Sequence, residues 1–330
     1  MFTNLLELIK SMPDEQTCRN YVAEQRWGAG RVVCPYCNNE KAYVIEGGKR
    51  YKCTDKTCHK KFSVTVGTFM EASNIPLTKW LAGIYLVTSS KKGISSYTLG
   101  RQLGIAQKNS WFMMHRIRQV LTPKTDVVLS GVVEIDETYL SKKYRSKYKA
   151  TPPDEVERLS QSGKYENKGA AIGIIQRDGT AIIKAIDSIN KQNVGELVKK
   201  HVSPVNTILM TDESNLYKYI LRDYERQTVC HSKKEWVNGD IHINTVEGLW
   251  AVMKRGLYGI YHRASPKHLQ AFCDEFAFRY NTRKIKDSDR FVLSLGQLQG
   301  RLTYKDLISE KESKEKDSRS YYRQNKPDSR

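Results

Sequence analysis

Hydrophobic and polar positions along this 330-residue chain change period several times, and each change predicts an element. The first 27 residues hold two short amphipathic runs, predicting two helices with Pro13 near the start of the second, where a missing N–H costs little. An apolar run from Leu77 to Val87 predicts a third helix. In the following segment, KKGISSYTLGRQLGIAQKNSWFMMHRIRQVL, Tyr97, Leu99 and Leu103 line one helix and Gly104 makes a turn. Trp111, Met114, Ile117 and Val120 line the next helix, the outline of a helix-turn-helix.

The period then shortens to two. VVEIDETYL and TILMTDES alternate and lead into acids, which predicts strands ending in loops at Asp136 and Asp212. GAAIGIIQRDGTAIIKAIDS holds two apolar strands about an Asp178-Gly179 hairpin signal, and a helix over 191–201 precedes the strand that ends at Asp212. Helical spacing returns with Val246, Leu249, Trp250, Met253 and Leu257, and again over 266–281 with Leu269, Phe272, Phe276 and Tyr280 inside. Ser141 to Lys168, with 8 basic and 4 acidic residues and Pro152-Pro153, reads as a loop or arm, and the mixed charge beyond Arg301 predicts disorder.

Glu247 lies off the apolar face of its helix, and Lys254 follows it by seven residues, two helical turns, so the two side chains project from the same side. Asp212 and Glu247 are separated by 34 residues. Three hard oxygen donors, Asp136, Asp212 and Glu247, suit Mg²⁺ or Mn²⁺ and hence phosphoryl transfer. A plainer reading competes: acids at strand ends commonly start turns, and Asn244 followed three residues later by Glu247 is a capping-box arrangement.

Seven cysteines bear on the picture next. Cys34 and Cys37 form a CPYC pair, fifteen residues separate Cys37 from Cys53, and four more separate Cys53 from Cys58. Four thiolates at such spacing form a closed tetrahedral zinc site, with His59 as an alternative to Cys58. Cys18, Cys230 and Cys273 read as ordinary buried thiols.

A net charge of +19 points to a polyanionic partner, with double-stranded DNA the expectation. Positions 51–126 carry 12 Lys or Arg against 3 Asp or Glu, which places the DNA footprint on the helix-turn-helix outline, with Arg101, Lys108, Arg116 and Arg118 as candidate contacts. The chain has no apolar run near the ~20 residues that span a bilayer, and its start lacks a secretion signal, so a cytoplasmic protein is expected.

Taken together, CPYC with its partner cysteines, KKFSVTVGTFM, EIDETYL, LMTDES, HINTVEGLWAVMKRGLYGIYH and KHLQAFCDEFAFRYNTR resemble the DDE transposases of bacterial insertion sequences. The resemblance runs from about Arg26 to Arg283 and is to the zinc-ribbon-bearing group with an ISXO-like transposase domain. It implies an α/β fold: an RNase H-like catalytic core, a mixed sheet with helices, preceded by a zinc ribbon and a helix-turn-helix-like region. The implied divisions are N-terminal helices over 1–30, a zinc ribbon over 31–70, the DNA-binding helices over 71–125, the catalytic domain over 126–300 and a tail over 301–330.

By the same resemblance Asp136, Asp212 and Glu247 match the acidic triad and Lys254 the basic residue that follows it. Some relatives use an asparagine as the third residue, which keeps Asn244 open as the alternative. The implied activity is cleavage at the ends of an insertion sequence and joining of the freed 3′-hydroxyl to target DNA, with two divalent metals on the triad and at least a homodimer on DNA. Two competing functions remain: an RNase H-like nuclease limited to hydrolysis, and an inactive zinc-dependent DNA-binding regulator.

Overall fold

The computed structural model describes residues 2–123, 126–140, 169–230, 232, 236–262 and 264–309; the expected arm over 141–168 and the chain beyond 309 lie outside these. The chain divides into two compact units, Met1–Tyr85 with Phe291–Arg330, and Leu86–Arg290.

In the first unit, α1 (Leu5–Ser11) and α2 (Glu15–Trp27) begin where their sequences say they should. Asn4 accepts from the N–H of Glu7, and Asp14, one residue past Pro13, accepts from those of Gln16 and Thr17. A three-stranded antiparallel ribbon follows: β1 (Ala42–Ile45), β2 (Arg50–Cys53) and β3 (Lys61–Phe62). Its small core is aromatic, with the rings of Trp27, Tyr51 and Phe62 in mutual contact at centroid separations of 5.5, 6.2 and 5.6 Å. Glu15 Oε1 accepts the Leu77 N–H at 3.0 Å, at the start of α3 (Leu77–Ser89). The disorder expected from residue 301 does not begin there: Tyr304–Ile308 form a helical turn capped by Thr303, because Leu307 finds a buried position.

The second unit opens with α4 (Ser96–Leu103) and α5 (Gln107–Leu121), joined through Gly104 in the left-handed conformation at φ 60°. A five-stranded sheet follows, built from β4 (Leu129–Tyr139), β5 (Ala170–Gln176), β6 (Ala181–Ile186), β7 (Val202–Thr211) and β8 (Glu225–Thr228). Four helices accompany it: α6 (Lys191–His201), α7 (Asn215–Ile220), α8 (Asn244–Gly259) and α9 (Pro266–Asn281).

The strand order is β6-β5-β4-β7-β8, with β4, β5 and β6 antiparallel and β7 and β8 running parallel to β4. This mixed sheet with its helices is the RNase H-like arrangement. One face packs Val246, Trp250, Phe272 and Phe276 of α8 and α9; the other packs Val194, Val198 and Tyr217 of α6 and α7. The strand β8 has no sequence signal, since Glu-Arg-Gln-Thr is wholly polar; as an edge strand it contributes backbone pairing and little apolar surface.

The structure corrects two of the candidate DNA contacts. From Met113 to Arg118, α5 is buried without interruption, so Arg116 and Arg118 are only 4% and 2% exposed. The Arg118 Nε donates to Glu275 Oε2 at 2.6 Å, and its guanidinium lies 4.1 Å from the Phe272 ring centre. Glu275 also pairs with Arg279 and accepts from the Tyr261 hydroxyl, both at its Oε1. An α5 packed on α9 needs its arginines inside, and phosphate contacts need them outside. Arg101 and Lys108 remain exposed.

Burial alone would raise the Glu275 carboxyl, but Arg118 and Arg279 outweigh it and hold it down at about 2. A depressed carboxyl contributes stability above its ordinary value of 4.5 and loses it as pH falls toward 2. Glu275→Gln, which leaves two buried guanidinium groups short of a counter-charge, should therefore cost about 3–5 kcal/mol at pH 7 in denaturant unfolding. The gap to the unaltered chain should narrow below pH 4.

Candidate metal centres

The four cysteines of the first unit converge. Their Sγ atoms all lie within 4.8 Å of one another, with Cys34 to Cys58 at 3.8 Å and Cys37 to Cys53 at 3.5 Å. Cys34 and Cys37 flank a tight turn closed by the Asn38 N–H to Cys34 carbonyl bond; Cys53 ends β2, and Cys58 sits in the turn that follows. Tetrahedral zinc at Zn–S of ~2.3 Å spaces its sulfurs by roughly 3.8 Å, so the donor set and its spacing fit structural zinc. Cys58, not His59, completes the set.

In the second unit the register of the central strands brings two acids level. Glu134 of β4 pairs with Met210 of the parallel β7, so Asp136, two residues on, stands beside Asp212 where β7 ends. Asp136 faces Gly173 across the antiparallel pair with β5. A Cβ on Gly173 would lie 2.7 Å from Trp250 Cζ2 and 3.0 Å from Val246 Cγ2, so the glycine lets α8 settle directly over these strands. Val246 and Trp250 flank Glu247, which is exposed in the first turn of α8; Lys254, two turns on, is half-buried.

Of these carboxylates, Asp136 sits in surroundings that perturb it. The Asp136 carboxyl is pushed up to about 6, first by burial and then by the negative charges of Asp212 and Glu247, against the Trp250 indole, which acts in the opposite sense. Asp212 is anchored by its own turn: Oδ1 accepts the Ser214 N–H at 3.0 Å, and its carbonyl accepts from Arg226 at 2.8 Å.

Two acids that the sequence reading passed over flank the site. Glu137 points to the other face of β4, beside the Tyr217 phenol, and burial pushes it up to about 7. Glu134 is fully buried on the face that Asp136 shares. The signal for Glu134 was present: it precedes Asp136 by two residues, the repeat of a strand face, in a segment where a buried position otherwise takes an apolar side chain.

Glu134 also corrects the capping-box reading. Ile243, the residue before α8, makes no side-chain cap bond, His242 Nδ1 accepts the Asn244 N–H at 3.4 Å, and Asn244 is the exposed first residue of the helix. The orphan N–H groups of Thr245 and Val246 donate instead to Glu134 Oε2 at 2.8 and 3.0 Å. Glu247 is therefore not committed to reaching back to its own helix start.

Cys37→Ser should lose zinc from a one-per-chain stoichiometry in elemental analysis and unfold the ribbon locally, since so small a unit depends on the ion for its stability. In the metal-free chain the raised Asp136 carboxyl binds its proton better folded than unfolded, so stability falls as pH rises from its ordinary 3.8 toward about 6 and stays reduced above. Asp136→Asn in EDTA should accordingly stabilise the chain at pH 8 by about 1–3 kcal/mol and give no gain below pH 4.

Comparison with known proteins finds a family match in each part of the chain. Residues 128–281 match the ISXO2-like transposase domain, and residues 13–61 match the transposase zinc-ribbon domain. Over 261 residues the chain is 28% identical to a protein of Halobacterium salinarum described as an uncharacterized protein in transposable element ISH50; the alignment covers 76% of this chain and 85% of that one. No solved structure matches. The chain thus carries a match to an ISXO2-like transposase domain following a match to a transposase zinc ribbon, and is similar to transposases over both stretches.

Proposed function

We propose that the chain is a DNA transposase that binds the ends of an insertion sequence, cleaves DNA strands and joins the freed 3′-hydroxyl to target DNA, acting as at least a dimer on DNA. The observation that supports this reading best is the pairing of β4 with the parallel β7, which sets Asp136 beside Asp212, under a helix that carries Glu247 in its first turn and packs on Gly173: three hard oxygen donors from two parallel strand ends and one helix start. Their like charges call for a divalent cation, and Mg²⁺ or Mn²⁺ fits carboxylate oxygens and phosphate together. Bound there, such ions supply Lewis-acid activation of the attacking hydroxyl and the scissile phosphate.

The chain's own residues do the rest. Asp136 and Asp212 stand on the sheet and fix one side of the site, while Glu247 closes it from α8. Lys254, on the same side of α8 two turns away, is placed to pair with a phosphate oxygen. Arg101 on α4 and Lys108 in the first turn of α5 are exposed and are the candidate DNA contacts; a recognition helix reads DNA with its N-terminal residues, which suits Lys108.

The experiment is strand cleavage and strand joining on a duplex carrying the element's end. Glu247→Gln should abolish cleavage at saturating Mg²⁺ with thermal stability nearly unchanged, because an amide offers a dipole where the carboxylate offers a full charge. Asn244→Ala should retain substantial activity. Cleavage by the unaltered chain without any joined product would reduce the reading to a hydrolytic nuclease, and an active Glu247→Gln beside an inactive, folded Asn244→Ala would move the third ligand to Asn244.

A further inference from the structure

Glu134 occupies a position that a strand buried on both faces reserves for an apolar side chain, yet it is 0% exposed and ionisable. Burying a carboxylate is costly unless every oxygen is matched. Here each is. Oε2 accepts the backbone N–H groups of Thr245 and Val246, and Oε1 accepts the Thr245 hydroxyl and the Arg177 Nε, both at 2.8 Å.

Arg177, from the hairpin turn between β5 and β6, balances the charge and extends the contact. Its Nη1 donates to the Asp240 carbonyl at 2.8 Å, and its Nη2 donates to the His242 carbonyl at 2.8 Å. The His242 Nδ1 lies 3.4 Å from Glu134 Oε1. One carboxylate on the central strand thus holds the chain entering α8, the donors of its first turn and the positive end of its dipole.

The two ends of this contact are close to two of the candidate ligands. Asp136 is the next residue on the same face of β4, and Glu247 directly follows Val246. Asp136 and Glu247 are both acids, Ile243 gives α8 no side-chain cap, and the local contact at the helix start is the long one from the Asn244 N–H to His242 Nδ1 at 3.4 Å.

We propose that Glu134, with Arg177, is a positioning residue that docks the first turn of α8 onto β4 and so sets where Glu247 stands relative to Asp136 when the two share a divalent cation. This rests on the reading of Asp136 and Glu247 as ligands of one site. A device of this kind acts through geometry: loosening it lowers the affinity for the ion before it removes the fold.

The test uses the full chain, with Mn²⁺ binding followed by calorimetry alongside DNA cleavage as a function of Mn²⁺ concentration. Glu134→Gln keeps the volume but turns an acceptor into a donor facing Arg177 or Thr245. It should weaken Mn²⁺ binding and raise the half-saturating Mn²⁺ for cleavage by about 10- to 100-fold, the range for groups that orient metal ligands. Thr245→Val removes one of the four hydrogen bonds and spares both backbone donors, so it should shift the same two readouts in the same direction by a few-fold. It also serves as the deciding variant if Glu134→Gln fails to fold.

Asp136→Asn is the control and should abolish cleavage. Unaltered Mn²⁺ affinity and cleavage in folded Glu134→Gln, or in Thr245→Val where that is the variant that folds, beside a dead Asp136→Asn, would overturn the positioning role and leave the triad standing. Normal cleavage by Asp136→Asn would overturn the triad itself, and the positioning role with it.

Discussion

The parallel pairing of β4 with β7 is the constraint on which the second unit depends. Both strands lie inside the sheet, so both are covered by helices, and their alternate side chains must satisfy two cores at once. Val133 and Ile135 serve the α6 and α7 side, while Glu134 and Asp136 face α8. Because the strands are parallel and in register, their acids arrive at the same edge, and an antiparallel partner could not have done this. Charge accumulates there as a result, and the surrounding structure is arranged to tolerate it. Gly173 admits α8, Trp250 sits beside Asp136, and Glu134 secures the helix start.

Buried charge recurs at the joint between α5 and α9. Glu275 stands between Arg118 and Arg279, with aromatic rings of Phe272 and Tyr261 against the Arg118 guanidinium. Such a network adds little net stability over apolar packing but makes loss of a single member costly. It also subtracts from the positive surface: of the four basic side chains first assigned to DNA, the two deepest in α5 are occupied inside the protein. Part of the chain's positive charge is therefore turned inward.

The first unit solves a different problem. Its ribbon strands are four, four and two residues long, too short to enclose an apolar core, and three aromatic rings supply what packing there is. Four sulfurs within reach of one ion would let coordination energy stand in for the missing core once zinc is bound.

Much of this was legible in the chain itself. The cysteine spacing pointed to the four-cysteine cluster, because a tetrahedral ion accepts few loop lengths. Strand alternation and helical spacing determined β4 to β7 and α6, α8 and α9, because each buries an apolar face whose period is visible. The strand β8 was not legible, since a polar edge strand is held by backbone pairing that no side chain records.

Tertiary structure alone decided the fate of the polar residues. Nothing in the local sequence separates Arg118, buried against Glu275, from Arg101, exposed on α4, because the difference lies 157 residues away along the chain. Nor could Asn244 and Glu247 show that their helix is capped by Glu134, 111 residues earlier. Hydrophobic pattern sets which face of an element is covered; what covers it, and so which charges are consumed and which remain for chemistry, is settled only when distant segments meet.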